Sequence, residues 1–156
     1  MRLTILALGT RMPGWVEQAV AEYSKRFPPG IKLELREIAL PQRGKDNNTS
    51  RLVAQEAELL RKAIPEHDRV VALDVEGSAW STGQLAARLE EWQMSACNYS
   101  LLIGGPDGLD DALLKQADLR WSLSPLTLPH PLVRVVLVEQ LYRAWTINAG
   151  HPYHRS

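Results

Sequence analysis

Short apolar runs alternate with helix-spaced segments along the whole of this chain, and that rhythm constrains its fold more than any other feature. Leu3, Ile5, Ala7 and Leu8 form the first run, which ends at Gly9. Pro13 stands where the first turn of a helix tolerates it. Trp15, Val16, Ala19, Val20 and Tyr23 follow at helical spacing, and Phe27-Pro28-Pro29-Gly30 stops that helix. Ile31, Leu33, Leu35 and Ile38 alternate with Lys32, Glu34, Arg36 and Glu37, which predicts a strand with one wet face near a sheet edge. After a polar loop over residues 41–49, Thr49 or Ser50 is expected to cap a helix carrying Leu52, Val53, Glu56, Leu59 and Leu60. Val70 to Leu73 is a short apolar strand, with Asp74, Val75, Glu76 and Gly77 leaving its end. Ser81 or Thr82 caps a helix bearing Leu85, Ala86, Leu89 and Trp92. Then come a strand over residues 99–103, a short helix over 110–116, a last strand around Trp121 and Leu123, and one long apolar helix. Strands and helices in strict alternation predict an α/β fold: a mainly parallel sheet covered by helices on both faces. The 156 residues make one domain, spanning 1–156, with no repeat and no linker.

Charge and cysteine content narrow the function classes. Lys plus Arg equals Asp plus Glu, 18 against 18, so the chain does not hold nucleic acid by net charge alone. Its single cysteine, Cys97, allows no intramolecular disulfide and no cysteine-based metal site, and no metal is expected. The first apolar run reaches Gly9 and Arg11 too soon for a signal peptide, and no run approaches a membrane span. A cytoplasmic protein with no membrane partner is expected.

Ligands of open α/β sheets bind beyond the carboxyl ends of strands. Three such ends are candidates: Leu73-Asp74 with Glu76-Gly77, Gly104-Gly105 with Gly108, and the stretch 123–128. The glycines allow a close backbone approach or a simple tight turn. No GxGxxG follows the first strand and no phosphate loop occurs, so a dinucleotide or nucleoside-triphosphate site is unsupported. The 123–128 loop is apolar; wrapped around an adenine or a thioether chain, its backbone N–H and C=O groups would find partners, the alternative being a buried connection that satisfies itself. His130, between Pro129 and Pro131, could touch a ligand or merely cap and pack.

The final helix carries Leu132, Val133, Val135 to Val138, Leu141, Tyr142, Ala144, Trp145 and Ile147 in nearly every direction. One sheet face cannot bury all of that, so a homodimer interface is expected there. Arg134, Glu139 and Arg143 then lie close to buried surface, and Glu139 and Arg143, four apart, are spaced to pair. The terminal HPYHRS adds His151, Tyr153, His154 and Arg155, and Arg43 and Lys45 could extend the basic patch. Basic groups interleaved with Tyr and His suit stacking and phosphate contacts to RNA, although a frayed terminus would carry the same residues.

LGTRMPGWV, YSKRFP, LDVEG, LLIGGPDGL, WSLSPLTLPHPLVRVVLVEQLYRAW and the terminal HPYHR, in that order, closely resemble the SPOUT-class large-subunit ribosomal RNA pseudouridine N3-methyltransferases. The resemblance spans the chain. It implies a single minimal SPOUT domain with a C-terminal trefoil knot, an exception to ordinary chain topology. It implies S-adenosyl-L-methionine as cofactor, lined by Leu73, Gly104, Leu123, Ser124, Pro125, Leu126, Thr127 and Leu128. It implies a homodimer with substrate bound across the interface, acting on large-subunit ribosomal RNA in assembled ribosomes. Asp107 stands where the family often has Glu. Methyl transfer to an imide nitrogen needs a base and a group to stabilise negative charge on the flanking carbonyls. By position and type, Arg143 and then Arg155 suit the second role, His154 and more weakly Glu139 the first, and Tyr153 could stack on the base. The alternatives are a SPOUT enzyme acting on a different ribosomal or transfer RNA base, or a non-catalytic ribosome-binding dimer.

Overall fold

The computed structural model describes residues 1–42 and 48–153. In order the elements are β1 (Arg2–Leu8), α1 (Gly14–Ser24), β2 (Lys32–Ile38), α2 (Thr49–Ala63), β3 (Arg69–Ala79), α3 (Thr82–Met94), β4 (Tyr99–Ile103), α4 (Asp111–Gln116), β5 (Leu119–Ser122) and α5 (His130–Ala149). The strands form one five-stranded sheet in the order β2-β1-β4-β3-β5, and every pairing is parallel. The expected α/β architecture is therefore present, and the wet strand β2 does lie at an edge.

Period-two alternation splits the strands between two cores. Leu3, Ile5 and Ala7 of β1 face one side, where they pack with Val16 of α1, Leu89 of α3 and Leu141 of α5. Leu6 and Leu8 face the other, against Ala57 and Leu60 of α2 and Leu113 of α4. The helices begin at identifiable caps. Ser81 and Gln84 form a reciprocal capping box at α3. Asp110 is the cap of α4 rather than its first residue, its carboxylate accepting from the Ala112 and Leu113 amides. At α2 the cap is Asn48, not Thr49 or Ser50: its side-chain oxygen accepts from the Arg51 amide at 3.2 Å, so Thr49 is already helical.

Two further findings correct the sequence-based expectations. First, β3 does not end at Leu73. It bulges between Leu73 and Ser78 and then resumes pairing with β5 as far as Ala79. Asp74, within the bulge, is held by Arg120 through Nε and Nη2 at 3.1 and 2.6 Å. Gly77 makes the bulge possible, because a Cβ there would lie 2.7 Å from the Arg120 carbonyl carbon and 2.8 Å from the Trp121 nitrogen. Gly77→Ala should destabilise the fold by about 1–3 kcal/mol. Thermal melting checks this; an unchanged midpoint would mean that β5 moves aside freely.

Second, α5 is apolar all round because it is wedged between α1, α3 and the sheet within a single chain. Leu137, Val138, Leu141, Tyr142 and Ala144 are thus buried without a second chain, whereas Leu132 is exposed and Val133, Val135, Val136, Trp145 and Ile147 are only partly buried, so the helix keeps apolar surface that its own chain does not cover. Outside the helix, Val75 and Leu126 are also exposed large apolar groups.

Candidate active site

Beyond the carboxyl ends of β3, β4 and β5 lies a cavity of about 370 Å³. Leu73 and Val75 come from β3 and its bulge, Ile103 and Gly104 from the end of β4, Trp121 and Ser122 from β5. Leu123, Ser124, Leu126, Thr127 and Leu128 close it from the following loop, and His130 and Val133 from the start of α5. Of the eight residues expected to line a cofactor site, seven are brought together here. Pro125, which is exposed, is not among the lining residues. Ile103, Trp121 and His130 are lining residues outside the expected set. Their signal was position alone, at strand ends or directly after the loop.

Chemically the cavity has apolar walls and polar edges. Among the described residues, the loop's own hydrogen bonds run from Ser122 Oγ to the Ser124 carbonyl and from the Leu126 amide to Ser124 Oγ. The amides of Thr127 and Leu128 have no acceptor among the described residues. Backbone donors left over at a cavity rim suit the polar edge of a ligand. Gly104 must be glycine, because a Cβ would meet the Gly108 carbonyl carbon at 2.8 Å. Trp121, on the wall, stacks on Trp80 with ring centroids 5.0 Å apart. These features fit a flat heterocycle with an aliphatic arm. No group of His, Cys, Asp and Glu among the described residues is placed to hold a metal ion.

A second cluster lies on the other half of α5. Arg143 donates to Glu139 Oε1 from Nε at 2.9 Å and Nη2 at 2.6 Å, the i, i+4 pair expected from the sequence. Gly150, at φ 69, ends the helix in the left-handed conformation and turns the chain back. Tyr153 thereby reaches Glu139 Oε1 with its hydroxyl at 2.9 Å and packs edge-on against Tyr142. The Arg143 guanidinium lies 5.0 Å from the Tyr153 ring centroid. The bond to Glu139 raises the Arg143 pKa further, so the group stays cationic. Burial, and then hydrogen bonds with Tyr23 and Glu139, push the Tyr153 phenol well above its ordinary range, so it is neutral near pH 7. Glu139 Oε1 is shared by Arg143 and Tyr153, and Oε2 accepts from Gln140. His154 and Arg155, and likewise Arg43 and Lys45, lie outside the described residues.

The two clusters are apart in one chain. Val133 is on the cavity wall and Arg143 lies ten residues further along α5, about 15 Å at the helical rise.

Against the family models, residues 1–154 match the one described as a predicted SPOUT methyltransferase. The chain belongs to the SPOUT methyltransferase family. Among relatives of this SPOUT methyltransferase, a protein of Hahella chejuensis named ribosomal RNA large subunit methyltransferase H is 56% identical, covering 99% of each chain. Proteins of the same name from Ectopseudomonas mendocina and Azotobacter vinelandii are 52% and 51% identical, over 99% of this chain and the whole of each relative. A solved structure of a probable methylase family protein from Haemophilus influenzae shares the fold, with a TM-score of 0.59 at 11% identity. That likeness covers 95% of this SPOUT chain and 66% of the other. The enzyme is thus a methyltransferase. No helix among its described residues is long and apolar enough to cross a membrane.

Proposed function

We propose that this methyltransferase uses S-adenosyl-L-methionine to methylate N3 of a pseudouridine in large-subunit ribosomal RNA, on assembled ribosomes in the cytoplasm. The observation that carries this is the cavity. Its glycine floor, apolar walls and spare loop amides occur in a chain that aligns end to end with proteins named for methylating large-subunit ribosomal RNA. Leu73, Gly104, Leu123, Ser124, Leu126, Thr127 and Leu128 would hold the cofactor, the loop being part of the family's trefoil knot. When bound, the cofactor supplies an electrophilic methyl group on a sulfonium.

The chain's own residues have three tasks: to orient the base, to remove its imide proton and to stabilise the resulting charge. Arg143 keeps Nη1 clear of its bond to Glu139, and a cation there suits the carbonyl oxygens that flank the imide nitrogen. Tyr153, neutral and half-buried, offers a ring for stacking. Glu139 is bound to Arg143, Tyr153 and Gln140, which makes it the weaker candidate for the base; His154 is the proton acceptor, because a neutral imidazole suits that role, and Arg155 the second cation. The new N–C bond replaces the S–C bond, and the imide proton leaves on the base.

Separation of the two clusters favours a homodimer. Two α5 helices in antiparallel register would bring the Arg143–Tyr153 end of one protomer near the cavity of the other. Apolar groups at the cavity side, Val75 at 61% exposure, Leu126 at 72% and Leu132 at 39%, supply surface for such a contact. Intact ribosomes and free RNA, each incubated with enzyme and S-adenosyl-L-methionine, then digested and weighed, test the proposal. One methyl group on a pseudouridine of the intact ribosome is expected; a methyl group on another base would overturn it. A chain truncated after Gly150 should bind cofactor and fail to transfer the methyl group.

A further inference from the structure

We propose that His130 and Arg134 are positioning residues for the cofactor cavity: a fixed Arg134 guanidinium sets the tautomer of His130, and His130 holds the Gly104 backbone in place. The proposal rests on the cofactor reading of that cavity.

Arg134 is 1% exposed, an unusual place for a guanidinium. Nη1 donates to Glu37 Oε2 at 2.6 Å, and Nη2 donates to the Gly9 carbonyl at 2.8 Å. His130 Nε2 lies 3.1 Å from Nη2 and 3.4 Å from Nε. Guanidinium nitrogens only donate, so Nε2 must be an acceptor, and the proton of the neutral ring sits on Nδ1. Gly104 provides the other side. It lines the same cavity as His130, and its backbone favours a proton on the ring, the sense expected of a carbonyl on the Nδ1 side. The imidazole thus spans a buried cation and the glycine on which the cavity depends.

Two observations separate this from an ordinary buried ion pair. Glu37 and Gly9 would anchor Arg134 without any histidine, yet His130 sits one turn earlier on α5 and is itself on the cavity wall. Gly9 also adopts φ 111, and a Cβ there would lie 3.6 Å from His130 Nε2 and 3.7 Å from Arg134 Nη2. The turn after β1 thus packs against the pair at ordinary van der Waals distance, and its positive φ is what calls for glycine. Through these two side chains the ends of β1, β2 and β4 are tied to the start of α5. Burial and the Arg134 charge lower the His130 pKa, against the Gly104 carbonyl and Glu37, which favour the proton. The ring stays neutral near pH 7, as the relay requires.

S-adenosylhomocysteine titrated calorimetrically into wild type, His130→Ala and His130→Asn tests the proposal, with nitrogen NMR of the His130 ring alongside. His130→Ala should weaken binding about tenfold. His130→Asn, whose amide can still donate to Gly104, should recover to within about threefold of wild type. The wild-type ring should carry its proton on Nδ1 at pH 7.5. Equal binding by wild type and His130→Ala, equal weakness of both variants, or a proton on Nε2 would overturn the relay. Absence of binding by wild type would instead sink the cofactor reading, and the ring tautomer would still decide the relay. Should His130→Ala fail to fold, His130→Asn and the tautomer carry the decision.

Discussion

Arg143→Ala should slow single-turnover methyl transfer by about 10²–10³-fold, the usual loss when one donor to a developing anion is removed. S-adenosylhomocysteine should bind the variant as it binds wild type, because Arg143 lies about 15 Å along α5 from the cavity of its own chain. The effect would be on charge and geometry together. Arg143 presents a planar fork to Glu139 while lying against the Tyr153 ring, so it both orients that ring and carries charge. Lysine would keep the charge and lose the fork, so Arg143→Lys should fall between alanine and wild type. Wild-type rates in Arg143→Ala would remove the electrostatic role, and with it the argument that the two clusters meet across a dimer.

Gly104→Ala should abolish measurable binding of S-adenosylhomocysteine, a loss of at least about 100-fold by the same calorimetry. The added Cβ would meet the Gly108 carbonyl carbon at 2.8 Å and its oxygen at 3.0 Å. Both are backbone atoms, so neither can swing away as a side chain would. The Gly105–Gly108 bridge would have to open, and the loop that floors the cavity would move with it. Such overpacking costs roughly 1–3 kcal/mol of stability as well. Tight binding with a normal melting midpoint would show that the floor is pliable and that Gly104 is not required.

These positions differ in how legible they were beforehand. The sheet was readable because β1, β3 and β4 carry apolar runs with helix-spaced segments between them, and period alone separates the two. The order β2-β1-β4-β3-β5 was not, since nothing local to β4 says that it inserts between β1 and β3. The bulge in β3 was missed because Asp74, Glu76 and Gly77 look like residues leaving a strand, whereas Arg120, 46 positions from Asp74, and the pairing of Ser78 and Ala79 with β5 hold the segment in the sheet. The same holds for Arg134: its buried charge is explained by Glu37, 97 positions distant. The strand-end rule pointed to Leu73, Gly104 and the 123–128 loop and the family motifs made them a cofactor set, His130 was left between ligand contact and packing, and Ile103 and Trp121 required coordinates. Pro125 was carried by the motif string and is not on the cavity wall.

The margins of the sheet have a consequence for crowded solution. On β2, Lys32, Glu34 and Arg36 form a ladder of ion pairs at one open edge, at 3.2 and 3.1 Å. At the other margin β5 is only four residues long. A strand from a stray chain would have to desolvate charge on one side and would find little to grip on the other. Edge-to-edge polymerisation is thereby discouraged, so the proposed pairing of loop and helix surfaces would stop at a closed assembly instead of growing into fibres.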